Sequence, residues 1–116
     1  MRRIDTNWLG VAEGFVTLFD HWETATDMWD GVGERQVRHP IQFDGTFASV
    51  PVVQLAPTLI DAHSDTYLRL NMRAEEVTET GFVLTVDIWD DTRIARLGVN
   101  WQALGPLDDP DEIWDV

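Results

Sequence analysis

Two runs of alternating residues, separated by a short acidic break, constrain the fold of this chain more than anything else in it. In the stretch Gly81–Gly105, Phe82, Leu84, Val86 and Ile88 alternate with Val83, Thr85, Asp87 and Trp89. Further on, Ala95, Leu97, Val99, Trp101 and Ala103 alternate with Ile94, Arg96, Gly98, Asn100 and Gln102. A period of two puts every second side chain on one face, so each run predicts a strand with one face on a core. The break is Trp89-Asp90-Asp91-Thr92. The stretch therefore reads as a β-hairpin whose loop carries one indole and two carboxylates. A polar, aromatic loop held by two patterned strands is a natural place for recognition.

Four further segments suit strands. Phe15–Phe19 fits a short strand or a helical turn. Val37–Phe43 is interrupted by Pro40, which removes a ladder donor and predicts an edge or irregular strand. Val50–Ala56 is an apolar strand, followed by a loop over Pro57–Asp65. Tyr67–Val77 alternates, with Leu68, Leu70, Met72 and Ala74 inward and Arg69, Asn71 and Arg73 outward. Turn signals stand at Asp30-Gly31-Val32-Gly33, Asp44-Gly45 and Thr78-Glu79-Thr80-Gly81. No segment has the period of a long amphipathic helix. About six short strands with turns between them predict an all-β, six-stranded antiparallel sandwich or barrel. A length of 116 residues suits one core. It divides into an irregular N-terminal segment over 1–28, the sandwich over 29–105 and an acidic tail over 106–116, which Ile113 and Trp114 can tie down by packing.

Charge and composition remove several function classes. The formal net charge is -13 and all eight basic residues are arginine, so no basic stripe tracks a polyanion, and nucleic acid and anionic membrane are repelled. With no cysteine there is no disulfide, zinc-thiolate site or thiol nucleophile. MRRIDTNWLG lacks the apolar core of a signal peptide, and no apolar run approaches the ~20 residues of a membrane span. The expectation is a soluble protein made in the cytoplasm; release by lysis or inside a particle would leave no signal, so an extracellular or particle-associated role stays open. His21, His39 and His63 have no ligand spacing, and neither Asp90-Asp91 nor Asp108-Asp109-Pro110-Asp111 matches a calcium loop. No metal or other cofactor is expected. The GxG at Gly31–Gly33 is a turn, since no strand and helix flank it as a dinucleotide site needs. There is no GxSxG elbow, and so small a domain offers little cleft for a catalytic carboxylate pair. The chain reads as a binding protein, not an enzyme.

The residue types that remain suit a sugar. Carboxylates accept from hydroxyls, Arg donates to them, and an indole face packs on apolar C–H groups. Trp89 and Asp90 at the loop tip, with Arg69 and Arg73 on an outward strand face, supply that set. The alternative is that Arg69 and Arg73 form cross-strand ion pairs with Asp87 and its neighbours on a solvated surface.

The order of short motifs also resembles the H-type lectin domain, found in invertebrate agglutinins and in many bacterial proteins. The likeness runs from Trp29 to Gly105 through MWDGVGER at Met28–Arg35, IQFDGTF at Ile41–Phe47, PVVQL at Pro51–Leu55, LRL at Leu68–Leu70, VTETGF at Val77–Phe82, IWDDT at Ile88–Thr92 and VNW at Val99–Trp101. The ending GPLDDPDEIWDV is similar to that of bacterial relatives. The resemblance implies a six-stranded sandwich that assembles as a homotrimer, sometimes paired into a hexamer. It implies binding of galactose or N-acetylgalactosamine without calcium, in a cleft between subunits. One wall matches Asp30–Gly33, with Asp30 and Gly31 at its start, together with Arg69; the other matches Trp89 and Asp90. Asp90 stands where the agglutinins carry a histidine, and Ala95 where an aromatic follows. For the acidic residue of the first loop, Asp30 matches by type and Val32 by spacing. The alternative role is a structural or attachment subunit of a larger particle or complex that uses the trimer without sugar.

Overall fold

The computed structural model describes residues 1–20 and 27–109. His21 and the end of the acidic tail, with Ile113 and Trp114, lie outside the described residues. Six strands are described: β1 (Leu9–Asp20), β2 (Arg35–Gln42), β3 (Val52–Ala62), β4 (Leu70–Glu75), β5 (Gly81–Ile88) and β6 (Ile94–Pro106). One helical turn, α1 (Asp27–Asp30), precedes β2. The strands form two antiparallel three-stranded sheets, in the orders β1-β6-β3 and β2-β5-β4. This is the expected six-stranded antiparallel sandwich.

The alternation that marked the chain builds the core. Phe82, Leu84, Val86 and Ile88 of β5 are buried, as are Ala95, Leu97, Val99 and Ala103 of β6; Ile94, which the alternation set in the opposite row, is buried as well, beside a register shift in the pairing with β3. Phe43 and Phe47 meet edge to face, with ring centroids 5.3 Å apart, and Trp101 leans on Phe43 and Phe82. The two prolines that a central strand would not tolerate fall on edge strands, Pro40 in β2 and Pro57 in β3.

Four local expectations need correction. β5 and β6 are not a hairpin: each is the middle strand of a different sheet, and the turn after Ile88 carries the chain across the sandwich. Alternation fixes which face of a strand is apolar but not which strand it pairs with. The N-terminal segment, expected to be irregular apart from a short strand or helical turn over Phe15–Phe19, holds a twelve-residue strand paired with β6 from Leu9↔Pro106 to Asp20↔Arg96. Its signal was hidden because both faces are apolar. Ala12, Leu18 and Phe19 are buried, while Leu9, Val11 and Phe15 are 58%, 53% and 57% exposed. β3 runs past Ala56 to Ala62, because a register shift between Pro57 and Leu59 absorbs the proline. Finally, β4 starts at Leu70, so Leu68 is 52% exposed instead of inward and Arg69 lies just ahead of the strand instead of within it.

Candidate functional site

The connection from β5 to β6, the loop after α1 and the segment before β4 meet at one end of the sandwich. A buried arginine holds two of them together. Arg35, the first residue of β2, donates from Nε to the Gly33 carbonyl (3.0 Å), from one terminal nitrogen to the Asp27 carbonyl (3.2 Å) and from the other to the Asp90 carbonyl (3.1 Å). The Gly33 N–H donates to the same Asp90 carbonyl at 3.0 Å. Burial pushes the Arg35 pKa down and the charge of Asp27 pushes it up; a guanidinium stays cationic throughout. Two residues accept the backbone shapes this clamp demands. Asp90 sits at φ 60, a left-handed conformation that Asp tolerates better than most residues. Gly31 lies so close to the Asp27 carbonyl, and to Arg35 Cδ, that a Cβ has no room there.

Thr92 ties in the third segment. Its buried hydroxyl donates to the Tyr67 carbonyl at 2.7 Å and accepts from the Arg69 N–H at 2.9 Å. Arg69 is thereby placed over the loop. One terminal nitrogen pairs with Asp91 Oδ1 at 2.9 Å, the other stands 4.0 Å from Asp90 Oδ2, and the guanidinium carbon lies 4.7 Å from the centre of the Tyr67 ring. Trp89 presents 39% of its surface to solvent. This end of the fold therefore gathers a cation with donors, two carboxylates and two accessible aromatic rings.

Of the residues singled out from sequence, Arg69, Trp89 and Asp90 converge here. The groups that the resemblance puts on opposite walls of a cleft already meet within one chain. Asp30 ends α1 and Gly31 opens the loop after it, which is pinned to the Asp90 carbonyl through Arg35 and Gly33. The cross-strand reading holds for Arg73, which pairs with Asp87 and, at 3.4 Å, with Glu75; Arg69 pairs with Asp91 instead. Sequence reasoning did not single out Arg35, Tyr67, Asp91 or Thr92. The pair Asp90-Asp91 was the one visible hint of Asp91. Among the described residues, no three His, Asp or Glu side chains gather as metal ligands would.

Comparison with known proteins gives consistent matches. A family model described as the H-type lectin domain matches residues 38–104. A protein of Fuscovulum blasticum named "ATP synthase subunits region ORF 7" is 34% identical over 108 residues, covering 93% of each chain. Discoidin-2 of Dictyostelium discoideum is 31% identical over 75 residues, which is 64% of this chain and 29% of that protein. The native structure of recombinant discoidin II from the same organism superposes with a TM-score of 0.74 at 25% identity, over 90% of this chain and 40% of that one. Wild-type discoidin II gives 0.73 at 27% identity, over 85% and 37%. The chain thus spans less than half of the discoidin structures it matches.

Proposed function

The chain belongs to the H-type lectin domain family, and from that premise we propose that it is a carbohydrate-binding module whose site is the loop end holding Arg69, Trp89 and Asp90, bordered by Asp30 and Gly31. The observation that carries the reading is the meeting of Arg69 with Asp90 and Asp91 beside an accessible indole. Arg69 keeps donor capacity beyond its 2.9 Å pair with Asp91 and offers it to a sugar hydroxyl; the carboxylates accept from others; Trp89 packs on the apolar face of the ring. The ligand is a galactose or N-acetylgalactosamine type of sugar, held without metal, by a protein that works as a homotrimer or a pair of trimers and catalyses no reaction.

The test is calorimetry with galactose and N-acetylgalactosamine on wild type and Arg69→Ala. A hydrogen bond from a charged donor is worth about 1.5–3 kcal/mol, so the variant should bind at least about tenfold more weakly with its melting temperature nearly unchanged. EDTA should change neither. Unaltered affinity in the variant would move the site elsewhere. A second reading, a structural or attachment subunit that binds no sugar, is favoured by the apolar outer row of β1. A wild-type protein blank on a broad glycan array would support it.

A further inference from the structure

The outer face of the β2-β5-β4 sheet continues directly from the loop end. Asp87 of β5 and Trp89, the residue just past its end, both line one groove there. Asp87 is paired in register with Gln36 of β2 and Asn71 of β4, which sets three polar side chains in one row across the sheet. Below Trp89 this row lines a groove of about 830 Å³. That lies within the ~300–1,000 Å³ typical of sites that engulf small ligands.

The row is fixed on one side and open on the other. Gln36 Nε2 donates to Asp87 Oδ1 at 2.8 Å, and Arg73 holds the other carboxylate oxygen. This leaves the Gln36 carbonyl oxygen as an acceptor. The Asn71 side chain is exposed and has no hydrogen-bond partner among the described residues, so its amide offers both donors and an acceptor. Rigid acceptors beside a free amide, under an indole rim, match vicinal hydroxyls. The charges in the groove argue against a sulfated or phosphorylated ligand: Glu34 and Asp87 line it, the lining cation, Arg35, is taken up by three backbone carbonyls, and the neighbouring Arg73 is engaged by Asp87 and Glu75.

We propose that Gln36, Asn71 and Asp87 form a second sugar subsite, sharing Trp89 with the first, so that the ligand is a neutral oligosaccharide of at least two units. This rests on the reading of the loop end as a sugar site. The second unit lies on the open sheet face, with its hydroxyls on the Asn71 amide and the Gln36 carbonyl.

The test compares galactose and N-acetylgalactosamine with neutral disaccharides that end in each of them, by calorimetry on wild type, Asn71→Ala and Gln36→Ala. Wild type should bind a disaccharide about tenfold or more tightly than its terminal monosaccharide. Asn71→Ala should erase that gain and leave monosaccharide affinity unchanged; Gln36→Ala should reduce it. Asn71 is exposed on a strand face, so its truncation is not expected to disturb the fold. Equal affinity of wild type for both ligands, or a gain that survives both substitutions, would overturn the subsite while leaving the loop-end site standing. Failure of wild type to bind either ligand would overturn the loop-end reading and the subsite with it.

Discussion

Arg35 shows how much a single side chain organises at this end of the molecule. Its guanidinium satisfies three backbone carbonyls, at Asp27, Gly33 and Asp90, on two separate loops. Removing it deletes three part-buried hydrogen bonds from a charged donor, each worth about 1.5–3 kcal/mol, although the Asp27 and Asp90 carbonyls keep backbone donors in Gly31 and Gly33. Because the three losses overlap, Arg35→Ala should lower unfolding stability by about 3 kcal/mol in urea titration; a loss under about 1 kcal/mol would mean that the loops hold without it. Arg35→Lys should recover only part, since an ammonium cannot span the same fork of acceptors. The sequence made Arg69, Trp89 and Asp90 legible because their chemistry is carried by side-chain type. Arg35 left no such mark: its partners are backbone carbonyls, which every residue has. Thr92 and Tyr67 were equally silent, because a bond across 25 residues is a product of the fold.

Among the elements, the faces of β5 and β6 were readable and their partners were not. Alternation reports burial, which is a property of one strand; pairing belongs to two. The same limit hid β1, whose doubly apolar pattern resembles neither a helix nor a half-buried strand. The outer row of the β2-β5-β4 sheet has its own electrostatics. Burial pushes the Asp87 carboxyl up, but hydrogen bonds from Gln36 and Arg73, with the charge of Arg73, outweigh it and hold the pKa below the usual carboxylate range. The folded state therefore favours the ionised form. The stability this adds is complete above the ordinary aspartate value of about 3.9 and is lost as pH falls through the lower folded value. The difference in melting temperature between wild type and Asp87→Asn should be constant from pH 7 to about pH 5 and should shrink only in more acid solution. A difference that already shrinks near pH 6 would show that Asp87 is not held down.

At the scale of the whole molecule, an acidic chain of net charge -13 carries one face with several exposed apolar side chains. Leu9, Val11 and Phe15 of β1 lie outward on the sheet that also exposes Val52 and Leu59 of β3, and Phe15 and Leu59 close over Gly98 between them. That face suits the proposed self-association: apolar burial can drive contact where the charges of the rest of the surface repel. Phe15→Asp should shift light scattering to a monomer at micromolar concentration with little loss of secondary structure by circular dichroism. A wild-type monomer would refute the assembly. β6 has a further consequence, for the order in which the protein is made. It is the last of the described strands and the middle strand of its sheet, and its final residue, Pro106, pairs with Leu9 of β1. As the chain leaves the ribosome, β2, β4 and β5 can pair once Ile88 has emerged. β1 and β3 must wait for a strand that emerges after all the others, with their backbone groups and apolar rows open to other nascent chains.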